Sequence, residues 1–136
     1  MLKIKNYNSS ILHEISFSLK ENENLIILGE NGAGKSTLAK VLSNLISNDK
    51  VELLGENISK ISDLKRTQLI NYIPPKLSIF DEYVTLREFL ELSFIDNVNN
   101  QKIDEVIKLL NLRKLEDKYC KSFSSGEKQL LLLASA

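Results

Sequence analysis

The stretch Gly29-Glu30-Asn31-Gly32-Ala33-Gly34-Lys35-Ser36-Thr37 has the residue types and spacing to do chemistry. Gly29, Gly34, Lys35 and Ser36 fit the pattern G-x-x-x-x-G-K-[ST], which cradles phosphate groups. A triphosphate needs several backbone N–H donors converging on it, and only a glycine-rich turn lets the main chain come that close. Gly34 opens a helix whose positive N-terminal end faces the anion. Lys35 can reach the β- and γ-phosphates, and the Ser36 hydroxyl can ligate Mg²⁺. The bland alternative is a glycine-rich surface turn that binds nothing.

The flanking elements favour the chemical reading. Leu25-Ile26-Ile27-Leu28 is a short continuous apolar run, the pattern of a buried parallel strand. After the loop, Leu38, Val41, Leu42 and Leu45 recur at helical spacing, which predicts an amphipathic helix ending at Ser47-Asn48-Asp49. Strand, loop and helix is the arrangement that the motif needs.

A second segment, Phe123-Ser124-Ser125-Gly126-Glu127-Lys128-Gln129, precedes Leu130-Leu131-Leu132-Leu133-Ala134. Ser124 and Glu127 have N-cap and N3 spacing, and Gly126 lets a ligand approach the backbone. The apolar run predicts a buried helix. Alone, this is a well-capped helix. Beside a phosphate loop, it reads as a second anion site at a helix N-terminus.

The remaining elements are scaffolding. Leu2 and Ile4 alternate with lysines in a half-exposed strand, and Ile11, His13, Ile15, Phe17 and Leu19 share one face of a second. His13, the only histidine, reads as a polar strand residue. Tyr7 is a candidate for stacking on a nucleotide base, or else covers a sheet edge. Val51 and Leu53 start another strand, and Gly55-Glu56-Asn57 is a turn. A short helix over 63–70 and a strand over Ile70–Ile73 come next, stopped by Pro74-Pro75. Thr85 to Glu88 is a capping box for a helix carrying Leu86, Phe89, Leu90 and Phe94. Asp96 to Asn100 is a polar loop, and Ile103, Val106, Ile107 and Leu110 form a further apolar helix stripe.

Composition narrows the function classes. The chain has 136 residues, 43% hydrophobic and 26% charged, as expected of one soluble domain with a core. Zero formal net charge gives no support to a general polyanion binder. The single Cys120 makes no internal disulfide and fits a reducing compartment. No apolar run has the length of a membrane span and no signal-peptide pattern opens the chain, so any membrane role is expected to be peripheral.

In these motifs and their order the chain resembles the ATP-binding subunit of ABC transporters. The matching segments are Leu12 to Leu19, Ile27 to Leu38, Ile70 to Pro74, Val84 to Glu88 and Phe123 to Gln129. The last is similar to the family signature L-S-G-G-[QE]-x-Q. The resemblance implies an α/β fold: a P-loop NTPase core sheet with an N-terminal antiparallel β part and a small helical lobe, truncated before the Walker B strand. It divides the chain into a β part and phosphate-loop core over 1–76, the lobe over 77–122, and the signature segment with its helix over 123–136.

The resemblance also implies ATP and Mg²⁺ as cofactors and ATP hydrolysis as the activity. Two subunits would pair head to tail around ATP, with Ser124, Ser125, Gly126 and Glu127 of one facing the γ-phosphate held by the other. A membrane permease would be the further partner, the subunit lying on the cytoplasmic face of the cell membrane, and an importer is the expected type. No nucleic-acid partner is expected.

Three departures qualify it. The usual glutamine after the third matching segment is here Pro75, followed by Lys76, and neither supplies a side-chain amide oxygen. The middle of the signature is Ser125 rather than glycine. The sequence stops at Ala136, before the expected aspartate and general-base glutamate, so the chain alone is expected to turn over ATP poorly or not at all. It is therefore expected to be part of a longer protein or a truncated product. Competing readings are a translation or DNA-repair ATPase of the same family, a small-molecule kinase, and a truncated ATP-binding module without turnover. Arg66, Arg87 and Arg113 are scattered and form no arginine lid, which disfavours the kinase.

Overall fold

A computed structural model describes residues 1–75, 83–94 and 97–136. The chain divides into two compact units, Met1–Tyr72 and Ile73–Ala136. Secondary structure is mixed α/β, with one small antiparallel sheet.

The first unit is built on four strands: β1 (Leu2–Tyr7), β2 (Ile15–Leu19), β3 (Val51–Leu53) and β4 (Glu56–Asn57). Their order is β2-β1-β3-β4, every neighbouring pair antiparallel. Ile4 faces Phe17 on one side and Val51 on the other. Leu54 and Gly55 both take positive φ between β3 and β4, as a two-residue hairpin turn whose twist matches the strands requires. Helix α1 (Lys35–Leu42) packs Leu38 and Val41 against Ile4, Tyr7, Leu12, Val51 and Ile58. Each such side chain taken from water contributes about 1.5–3 kcal/mol.

Several local expectations change. The turn expected at Gly55-Glu56-Asn57 lies at Leu54-Gly55, and Glu56 and Asn57 pair with β3 as β4, because Leu54 as well as Gly55 takes the positive φ that a two-residue hairpin needs. Leu25 to Leu28 pairs with no strand in the described sheet, and Ile26 and Leu28 are 81% and 88% exposed. A parallel strand is buried only by neighbours on both its edges and faces, and the described sheet supplies none here. The second strand begins at Ile15 rather than Ile11, because Glu14 at φ 52 breaks the extended backbone. The burial phase slips with it: Leu12 is buried, whereas Ile11 and His13 are exposed. Helix α1 stops at Leu42, where Asn44 turns left-handed, which leaves Leu45 exposed. The strand expected over Ile70–Ile73 makes no ladder; helix α2 (Asp63–Leu69) ends there and Ile70 continues as extended chain.

The second unit is helical: α3 (Leu86–Glu91), α4 (Asn100–Leu109) and α5 (Ser125–Ala134). Leu86, Leu90, Ile103, Ile107, Leu112, Cys120, Phe123 and Leu131 form its core. The capping box at Thr85 and Glu88 is present in both halves. Arg87 on α3 pairs with Asp104 on α4 and with Glu116, 2.6 Å from the latter. These two carboxylates hold the guanidinium above its ordinary value, the hydrogen bond that Arg87 donates to Asp104 most of all. Helix α5 is only half buried: Leu131 and Leu132 are inside, while Leu130 and Leu133 are 40% and 51% exposed. Successive leucines cannot all face one partner when side chains turn about 100° per residue. Of the polar loop expected over Asp96 to Asn100, Asp96 lies outside the described residues and Asn99 caps α4.

Candidate phosphate-binding site

The loop Gly29–Thr37 runs along the surface and turns into α1. Gly32 and Gly34 hold φ 90 and 88, values that side-chain-bearing residues rarely adopt. The Ala33 N–H donates to the Glu30 carbonyl at 3.2 Å, which curls the loop. Gly34 is the N-cap of α1, and Leu38 N–H donates to its carbonyl at 2.8 Å as the first helical bond. The N–H groups of Lys35, Ser36 and Thr37 precede that bond, so the helix itself offers them no acceptor. No side chain caps this end, and its first turn carries no carboxylate. The result is a helix N-terminus with open donors and no competing negative charge in that turn.

Lys35 completes the cradle. Its Nζ donates to the carbonyl oxygens of Gly29 and Glu30, both at 2.7 Å. An ammonium has three donors, so one remains for an oxygen outside the loop. The lysine is thereby folded over the loop that it would serve. Ser36, in the first turn of α1, is exposed. Its hydroxyl is the oxygen ligand that the loop could offer a Mg²⁺ arriving with a triphosphate. Among the described residues no cluster of His, Cys, Asp or Glu could hold a metal independently.

Tyr7 is not placed as a stacking residue. It is 8% exposed and lies in the core of the first unit with Leu12 and Leu38, so it presents no free ring face to a base. The sequence alternation did not reveal this, because the register shifts between Ile4 and Tyr7 where Asn6 turns to φ 47.

The signature-like segment lies in the second unit. Ser124 is the N-cap of α5: its Oγ accepts from Glu127 N–H at 3.3 Å, and Glu127 Oε2 accepts from Ser124 N–H at 2.6 Å. That backbone bond, reinforced by the Ser124 hydroxyl and by Lys118, holds the Glu127 carboxyl below the ordinary glutamate range. Ser124, Ser125 and Gly126 are exposed. Among the described residues, a methyl added at Gly126 would meet nothing within 4 Å, so their packing does not demand glycine there. Pro75 is exposed and bears no polar side-chain atom; Lys76 lies outside the described residues. Cys120 is buried, and desolvation pushes its thiol up, so it is a core residue rather than a nucleophile.

A phosphate loop leading into a helix, with a separate helical unit carrying a capped Ser-Ser-Gly-Glu turn, defines an α/β nucleotide-binding protein of the phosphate-loop class. The chain belongs to the ABC transporter family, whose sequence model matches residues 12–136. It is 34% identical over 142 aligned positions to the zinc import ATP-binding protein ZnuC of Buchnera aphidicola, covering 99% of this chain and 55% of that protein. It is 32% identical to the molybdate/tungstate import ATP-binding protein WtpC of Pyrococcus horikoshii, covering 100% of this chain and 42% of that protein. A solved structure of an ATP-binding subunit of an ABC transporter superposes with a TM-score of 0.78 at 24% identity, over 99% of this chain and 60% of that one. The chain thus spans about half the length of the curated relatives it matches.

Proposed function

We propose that this chain is the phosphate-binding and signature-bearing portion of an ATP-binding subunit that powers import across a membrane. The roles of its relatives in zinc and in molybdate or tungstate import favour an importer. The observation that carries the reading is Lys35, bonded to Gly29 and Glu30 over a loop with two left-handed glycines and an uncapped helix N-terminus. Such a loop binds the triphosphate of ATP through the amides of residues 32–37 and the third ammonium donor of Lys35. Ser36 offers its hydroxyl to the accompanying Mg²⁺.

The signature turn serves a second subunit. Ser124 Oγ accepts within its own capping box, and a phosphate oxygen would compete with the Glu127 carboxylate for its O–H. Gly126 costs a helix roughly 0.5–1 kcal/mol relative to alanine, and no neighbour among the described residues fills the space beside it. A close approach from outside gives that glycine a purpose. ATP bridging the loop of one subunit and the turn of another would shift an open–closed equilibrium, and a permease would convert that shift into transport. Among the described residues no helix is long and apolar enough to cross a membrane. The general base of hydrolysis is not among the candidate residues.

Thermal unfolding tests the reading. Mg-ATP is expected to raise the melting midpoint in proportion to the logarithm of its concentration, and adenosine is not. Equal shifts from the two, or none from Mg-ATP, would overturn it. Co-purification of the full-length protein with ribosomes in place of an integral membrane protein would overturn the transport role alone.

A further inference from the structure

We infer that Leu12, held by a turn at Ser9, is a positioning residue that keeps the phosphate loop in its binding shape. Gly34 sits at the hinge between loop and helix at φ 88. On its side-chain side, a Cβ would come within 2.8 Å of Leu12 Cδ2 and 2.9 Å of Ile11 Cγ2. Those two side chains fill the space beneath Gly34, so its α-carbon rests directly on them. Leu12 is itself fixed: it is 5% exposed and packed with Tyr7, Leu38 and Val41, the last two on α1.

The backbone that delivers Leu12 is tied independently. Ser9 Oγ accepts from the N–H groups of Ile11 and Leu12, at 3.3 and 3.0 Å, and Ser9 N–H donates to the Leu12 carbonyl at 2.8 Å. Asn8 Oδ1 accepts from Glu14 N–H at 2.9 Å, closing the segment on its other side. Left-handed Asn6 and Glu14 flank this segment, and the slip in burial phase they create turns Leu12 rather than Ile11 inward. An irregular connection between two strands thereby becomes the floor of the hinge. With that floor in place, the open amides of Lys35, Ser36 and Thr37 hold one direction before any anion arrives, which lowers the ordering cost of binding.

The nucleotide arm of the test rests on the ATP-binding reading above; the exchange arm does not. Leu12→Ala opens the floor, Leu12→Met retains its volume, and Ser9→Ala loosens the turn without touching the core. In the ligand-free chain, amide hydrogen exchange at Lys35, Ser36 and Thr37 is expected to accelerate in Leu12→Ala and Ser9→Ala by more than exchange in β1 and β3. Leu12→Met is expected to restore it. Mg-ATP affinity should fall about tenfold in Leu12→Ala and less in Ser9→Ala, with adenosine binding unchanged. Uniform acceleration across the first unit, or loop exchange unchanged in both variants, would overturn the positioning role. So would wild-type Mg-ATP affinity in Leu12→Ala. Should Leu12→Ala fail to fold, Ser9→Ala alone decides between these outcomes. If the wild type binds no Mg-ATP, the nucleotide reading falls, and loop exchange still judges the floor.

Discussion

The ammonium of Lys35 donates to the carbonyl oxygen of Gly29 across 2.7 Å, tying the first turn of α1 to the start of its own loop. With the matching bond to Glu30, this contact shapes the loop without a ligand. Lys35→Ala removes both bonds at an exposed site, where each contributes about 1 kcal/mol at most. Denaturant unfolding should therefore show a loss below about 2 kcal/mol, while limited proteolysis between Gly29 and Gly34 should quicken. A loss well above that would mean that the lysine serves the fold rather than a ligand.

Gly34 and Gly126 should respond in opposite directions to alanine. At Gly34 the new methyl meets Leu12 and Ile11 in a left-handed backbone, so Gly34→Ala should destabilise by about 1–3 kcal/mol. At Gly126 the space is open and the backbone helical, so Gly126→Ala should stabilise by about 0.5–1 kcal/mol. Urea titrations of the two variants check the contrast.

The Arg87 pairs should couple measurably. The Arg87 and Glu116 side chains are 28% and 19% exposed, between surface and interior. A double-mutant cycle on Arg87→Met and Glu116→Gln should give a coupling of about 0.5–2 kcal/mol, weakened by added salt. No coupling at low salt would reduce the cluster to surface decoration.

Acid should weaken both capping boxes. The backbone N–H of Thr85 holds the Glu88 carboxyl below its ordinary value of 4.5, and the backbone N–H of Ser124 does the same for Glu127. A carboxyl depressed in the folded state adds stability that is present above about 4.5 and is lost as pH falls through its folded value. Glu88→Gln and Glu127→Gln should therefore flatten the decline of stability below pH 4.5, as read by unfolding midpoints at a series of pH values.

Burial along α5 should sort its leucines. Leu131 is fully buried, so Leu131→Ala should cost about 2–5 kcal/mol. Leu133, 51% exposed, should cost less than about 1 kcal/mol.

Features of short range were readable from residue types. The helix that opens after Gly34, the capping boxes at Thr85 and Ser124, and the stripe of α4 each depend on residues a few positions apart. Features set by distant partners were not. Leu25 to Leu28 has the composition of a buried strand, yet burial depends on neighbours that the run itself does not encode. Tyr7, a stacking candidate, and Leu12 rather than Ile11 are buried because Asn6 and Glu14 break the two-residue period. The leucine run of α5 showed hydrophobicity but not which half would find a partner.

Calorimetric titration of Mg-ATP into the wild-type chain and into Lys35→Ala tests the central claim most directly. The expected result is saturable heat from the wild type and affinity at least about tenfold weaker in the variant, since a charge-assisted contact to phosphate is lost. No heat from the wild type, or equal affinity in the two, would contradict it.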